Sequence, residues 1–199
     1  MFISMNTQAR IDLFGPIHKA IRCALADLLS QMGNTTFADA ASASRVADML
    51  EEVTELCEDH RGVEERLLLP ALAERLHGTL DRVVEAHASQ PVAVAELRAL
   101  AETLRTSREE VRPIVGRTLY LHFSTFAAEL LLHMAEEEQV VQPLLEKLFS
   151  DEEVRFIHGR LRAAVTMEER LRAMPWMIRG TNAAERKAIL RGAFEESPR

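Results

Sequence analysis

Apolar residues recur at intervals of three or four along most of the chain, the spacing of one buried helix face, and strand-like alternation is nearly absent. From Leu119 to Leu148 the stripe reads Leu119, His122, Phe126, Leu130, His133, Glu137, Val140, Leu144 and Leu148. This predicts one long helix with two histidines and a carboxylate on its inner face. A second stripe, Val46, Met49, Val53, Leu56, His60, Glu64, Leu67 and Ala71, carries the same His-x-x-x-Glu spacing. Gly62 weakens this helix, and Pro70 kinks or ends it.

Two further long helices complete the pattern. The first runs from residue 11 or 16 to Met32, with Phe14, His18, Ile21, Leu25, Leu28 and Met32 inward, Gly15-Pro16 as a start and Gly33 as a stop. The third covers roughly residues 80 to 104 through Leu80, Val84, His87, Val94, Leu97, Ala101 and Leu104, and Pro91 predicts a kink one turn after His87. Residues 33 to 44 and His77-Gly78-Thr79 read as connections, while Ser107-x-x-Glu110 and Pro113 compete to start the fourth helix. Ser150-x-x-Glu153, Thr166-x-x-Glu169 and Asn182-x-x-Glu185 predict three short helices ending near Phe194. The expected fold is all-α: an up-down-up-down four-helix bundle over residues 1–149. A C-terminal helical appendage over 150–199 would cover the bundle or form a homodimer contact.

In such a bundle, residues at one height on neighbouring helices are equally far from the turn between them. If His18, the His60–Glu64 pair, His87 and the His133–Glu137 pair share a level, the turns fall near about residues 40, 75 and 111. The independent turn signals lie there. Burying these groups together is costly unless each is paired or bound to a cation, so the level asks for a metal. The bland alternative is a structural helical module whose core histidines are merely hydrogen-bonded.

Four imidazoles and two carboxylates form a nitrogen and oxygen donor set that suits iron, and less decisively manganese or zinc. If Glu64 and Glu137 each bridge two metals, each metal receives two histidine nitrogens and two carboxylate oxygens. With a bridging water or hydroxide, one position on each stays open for dioxygen, peroxide or nitric oxide. The ferritin-like Glu-x-x-His pattern occurs only at Glu74 and His77, beside a turn, and the His-Glu-x-x-His signature of zinc proteases is absent. His122 lies about 16 Å from His133 along the helix, too far for the same site, which leaves it a core or end-of-bundle role. Glu129 is a further candidate carboxylate. Glu136 and Glu138 read as solvated neighbours, His77 and His158 as surface residues, and Cys57 as packing.

The bulk numbers narrow the choice of partners. A net charge of -7 and a pI near 5.6 argue against nucleic acid, and no apolar run approaches the length that spans a bilayer. Cys23 and Cys57 form neither a disulfide framework nor a Cys-x-x-Cys pair, and Met1 to Arg10 lacks the pattern of an export signal. A cytoplasmic location is expected.

Several local sequences then resemble the haemerythrin-like, or His-His-Glu cation-binding, family. They are Pro-Ile-His-Lys-Ala-Ile-Arg around His18, His-Arg-Gly-Val-Glu-Glu with Leu-Leu-Pro following from His60, Glu-Ala-His at His87, and His-Met-Ala-Glu-Glu-Glu with Gln-Pro-Leu-Leu following from His133. The resemblance covers about residues 10 to 148. It implies a non-haem di-iron centre with His18, His60, His87 and His133 as terminal ligands and Glu64 and Glu137 as bridges. It also implies a protein that binds dioxygen, or that senses or protects against oxygen, nitric oxide or iron-centre damage. A di-iron oxidase or peroxidase is the enzymatic alternative. The chain departs from the oxygen-carrier pattern, because Val83 and Pro91 stand where a carrier has a second His on the third helix. The fourth helix has His-x-x-x-Glu in place of His-x-x-x-x-Asp.

Overall fold

The computed structural model describes residues 11–76 and 80–195, so the readings of Met1–Arg10, of His77-Gly78-Thr79 and of the last four residues lie outside the described residues. The described chain is helical, without strands. Its elements are α1 (Gly15–Asn34), α2 (Ala40–Val63), a π-helical turn π1 (Glu64–Leu68), α3 (Leu69–Ala73), α4 (Asp81–Thr106) and α5 (Arg112–Glu136). A second π turn π2 (Glu137–Val141), α6 (Gln142–Leu148), α7 (Asp151–Ala164), α8 (Met167–Gly180) and α9 (Ala183–Glu195) follow.

Local chemistry sets most of the boundaries. The Asp12 carboxylate accepts from the amides of Phe14 and Gly15, and Pro16 occupies the first turn of α1. Asp39 caps α2 by accepting from Ser42 N–H at 2.7 Å. Ser150 and Thr166 form capping boxes with Glu153 and Glu169, and Asn182 makes the corresponding bonds with Glu185, so α7, α8 and α9 start where their sequence signatures stand. Ser107-x-x-Glu110 is not a helix start. Ser107 ends α4, with its amide and hydroxyl both donating to Thr103 O, and Pro113 sits in the first turn of α5. Gly33 does not stop α1, which runs on to Asn34, and α4 passes through Pro91 as one helix. Pro91 faces solvent, and its ring leaves the carbonyl of His87 without its usual helical donor.

Helices α1, α2, α4 and α5 pack in a closed ring, each on the next, and α8 lies against α1 and α2. Two apolar clusters fill the ring. The larger holds Leu25, Leu28, Leu50, Leu97, Leu104 and Phe123, and α8 adds Trp176 to it. The smaller holds Phe14, Leu68, Leu72, Val83, Val141 and Leu145, closed by Phe149, Val154 and Ile157 from the end of α6 and from α7. The chain enters the smaller cluster just before α1, after α2 in π1 and α3, at the start of α4, and after α5 in π2 and α6. Gly180 lets α8 approach closely, because a Cβ there would stand 2.5 Å from Lys19 O.

Both π turns begin at the glutamate of a His-x-x-x-Glu motif. Leu69 N–H reaches back five residues to Glu64 O, and Gln142 N–H does the same to Glu137 O. Pro70 and Pro143 come next in each case. A proline gives no bond to the carbonyl four residues back and crowds it with its ring, and a widened turn just before it relieves both problems. The extra residue shifts the buried face by one position. The inner residues after Glu64 are therefore Leu68 and Leu72, not Leu67 and Ala71, and after Glu137 they are Val141, Leu145 and Phe149, not Val140, Leu144 and Leu148.

This register is open to test by denaturation. Leu145 is fully buried, so Leu145→Ala should lower the unfolding free energy by about 2–5 kcal/mol, whereas half-buried Leu144→Ala should cost well under half of that. Equal losses in urea titrations would contradict the shifted face.

Candidate metal centre

All six candidate donors come together in the layer between the two apolar clusters. His18 follows Phe14 on α1 and precedes Ile21, placing it where the smaller cluster gives way to the larger. On α2 the order is reversed, with Leu56 and Cys57 before His60 and Glu64, and Leu68 after them. His87 lies between Val83 and Val94 on α4, and His133 and Glu137 lie between Leu130 and Val141 on α5 and π2. One cross-section therefore receives a donor from every long helix. His18, Glu64, His87, His133 and Glu137 are buried there, and His60 is half-buried.

The donors sort into two groups. One donor atom each from His18, His60, Glu64 and Glu137 lies within 4.8 Å of the others, and the same holds for Glu64, His87, His133 and Glu137. The two carboxylates belong to both groups. His60 Nε2 is 3.3 Å from Glu64 Oε1 and His133 Nε2 is 3.3 Å from Glu137 Oε1, the contacts that i, i+4 spacing provides within a helix. Across the bundle, His87 Nε2 is 3.5 Å from both Glu64 Oε2 and Glu137 Oε1, and His18 Nε2 is 3.3 Å from Glu137 Oε2.

These distances are too long for good hydrogen bonds. Both oxygens of Glu64, both ring nitrogens of His87, His133 Nδ1 and Glu137 Oε2 have no hydrogen-bond partner. Leaving such buried groups unpaired costs about 1–3 kcal/mol each. A cation in each donor group would satisfy most of them, and a nitrogen and oxygen set of this kind matches a borderline or hard metal ion, so the residues fit a metal.

The electrostatics point the same way. Burial, assisted by His18, pushes the His60 imidazole down to about 3, which leaves it neutral with a free lone pair at pH 7. Burial and the facing Glu137 push the Glu64 carboxyl well above the usual range. Burial also raises Glu137, but the imidazoles of His133, His18 and His87 outweigh it and hold that carboxyl well below the usual range.

The other candidates fall outside both groups. His122 is exposed, because the inner face of α5 runs back from His133 through Leu130, Phe126 and Phe123 to Leu119. Phe123 takes the place that His122 was expected to fill. Glu129 is exposed, and His158 is partly exposed on α7. Cys57 is buried, and burial pushes its thiol up to about 12, which suits a packing residue.

Glu138 is not simply a solvated neighbour. Its Oε1 is 2.9 Å from His18 Nδ1, and Arg22 donates to both of its oxygens at 2.6 and 3.1 Å. Glu65 stands similarly, with Oε1 3.4 Å from His87 Nδ1 and accepting from Arg61 at 2.6 Å. The doubled glutamate after each His-x-x-x motif was the available signal.

Because burial and Glu137 raise the Glu64 carboxyl, protons compete with a cation for it, so affinity should rise with pH. Competition with a chromophoric chelator should show divalent-cation affinity falling steadily from pH 7 to 5. A flat profile would count against these ligands.

No curated protein is a significant match to the chain. A family model described as the hemerythrin HHE cation binding domain matches residues 10–145, a span that contains all six donors. That family implies binding of a metal cation, and the two donor groups are where this chain can hold one. With more than half of its length matched, the chain belongs to the hemerythrin HHE cation binding domain family.

Proposed function

We propose that the protein holds two non-haem iron ions, bridged by Glu64 and Glu137, and binds dioxygen, nitric oxide or peroxide as a sensor or protective factor. The observation that carries this is the sharing of both carboxylates between two histidine pairs, His18 with His60 and His87 with His133. A single-metal site would need no such duplication. Manganese or zinc could occupy the same donors.

A four-helix bundle running up, down, up and down accompanies this function. It is supported by the order in which α1, α2, α4 and α5 meet the two apolar clusters, which reverses from each helix to the next, and by the short links between them. His60 and His133 come from the same side of their glutamates in chain order, and each carboxylate can reach across the bundle.

When bound, a reduced iron pair supplies electrons and an open coordination position to a small oxidising ligand. The chain's own residues govern access to it. Val83, 2% exposed, puts an apolar side chain one turn before His87, and Pro91 one turn after it offers no donor. This scarcity of nitrogen donors favours ligand binding at an exposed metal over permanent saturation. The Val83, Leu68 and Val141 side chains keep the layer's far side dry. The acidic chain disfavours nucleic acid as a partner, and among the described residues no helix is long and apolar enough to cross a membrane. We place the protein in the cytoplasm, where Cys23 and Cys57 remain thiols.

Anaerobic iron loading followed by metal analysis should give two irons per chain, and the reduced protein should develop an iron-to-ligand absorption band with oxygen or nitric oxide. Less than about one metal per chain and no such band would favour a metal-free structural module. Steady turnover of an added reductant would instead favour the oxidase or peroxidase alternative. Glu137→Ala or His60→Ala should lose at least one iron, while His122→Ala, altering an exposed side chain, should leave loading unchanged.

A further inference from the structure

Each His-x-x-x-Glu motif is followed at once by a second glutamate, Glu65 after Glu64 and Glu138 after Glu137. In a regular helix, adjacent side chains diverge widely, and the second glutamate would turn away from the first. Here both pairs open a π turn, whose smaller rotation per residue keeps neighbours closer in direction. The first glutamate faces the buried layer. The second lies at its rim, with the Glu65 side chain 39% and the Glu138 side chain 33% exposed.

Each second glutamate meets the outer nitrogen of a histidine on a different helix. Glu138 reaches from π2 to His18 on α1, at 2.9 Å from Nδ1, and Glu65 reaches from π1 towards His87 on α4, at 3.4 Å from Nδ1. The two arms serve different donor groups, His18 in one and His87 in the other. An arginine holds each carboxylate: Arg22, one turn beyond His18, grips Glu138 with two nitrogens, and Arg61, one turn before Glu65, grips that residue with one. A carboxylate fixed by a guanidinium accepts hydrogen bonds and donates none. At His18, where Glu138 lies 2.9 Å from Nδ1, it therefore selects the imidazole tautomer with its proton on Nδ1 and its lone pair on Nε2, the nitrogen facing Glu137.

We propose that Glu138, clamped by Arg22, is a positioning residue that orients His18 and fixes its tautomer in one half of a paired-metal centre; Glu65, held by Arg61, stands in the corresponding place in the other half without a hydrogen bond to His87. This role rests on the metal function proposed above. It gives Glu138 and the arginine beside it, Arg22, a role at the rim of the layer. The Glu138 arm is the tighter of the two.

Zinc, which is diamagnetic, separates the two ideas. Wild-type protein should bind zinc, and nitrogen-proton correlation spectra of the loaded protein should show an exchange-protected proton on Nδ1 of His18. Glu138→Ala should lower zinc affinity by about 10- to 100-fold and abolish that signal. Glu138→Gln retains an acceptor and should recover much of the affinity and the signal. Glu129→Gln, the same charge change at an exposed position outside both groups, should do neither. A wild-type protein that takes up no zinc overturns the metal function itself. Normal uptake in the wild type with Glu138→Ala unchanged, or with the His18 proton on Nε2, overturns the positioning role alone.

Discussion

Everything in this fold turns on keeping four imidazoles and two carboxylates in one dry layer between two apolar clusters. A buried carboxylate without a partner is among the least tolerable groups in a protein interior, and here two of them face one another. The surrounding imidazoles favour the charged form of Glu137, while burial and Glu137 push Glu64 towards its neutral form. The layer is built for positive charge that the side chains alone do not supply. The apolar clusters on either side hold the geometry, since each long helix anchors its donor between buried residues above and below.

The π turns reconcile this layer with the helices that carry it. An α-helix places His and Glu four residues apart on one face, but continuing the same winding would bring Leu67, Ala71, Val140 and Leu144 inward. The extra residue instead turns Leu68, Leu72, Val141 and Leu145 into the smaller cluster and directs the adjacent glutamates towards the histidines. Pro70 and Pro143 make the wider turn the less costly winding at those positions. One local defect, used twice, shapes both the packing and the site.

The C-terminal helices add restraint from outside the ring. Helix α8 lies across α1 and α2, burying Trp176 while its indole donates to Glu52. Arg172 pairs with Glu55 and with Asp59, and Asp59 is next to His60; Gly180 rests on the backbone of Lys19, next to His18. The backbone beside two of the four histidines is thus braced by a segment beyond residue 150.

By itself, the sequence determined that the chain is helical, which residues could act as donors, and where the helices with capping boxes, α7 and α8, begin. These follow from rules that operate within a few residues: the 3.6-residue period, i, i+4 spacing, and side chains such as Ser150 and Thr166 that cap their own helix. The large inner residues of α1, and the six residues that the structure brings together in the layer, were legible on that basis. The tertiary structure decided what periodicity leaves open. His122 and Phe123 were equally placed to face inward from spacing alone, and only packing against the other helices selects the phenylalanine. Glu138 looked like one more solvated charge until α1 brought His18 and Arg22 against it from 120 and 116 residues away. The winding after Glu64 and Glu137 could not be counted off the sequence either, because a π turn trades a regular backbone bond for better burial, and that balance exists only once both apolar clusters have formed.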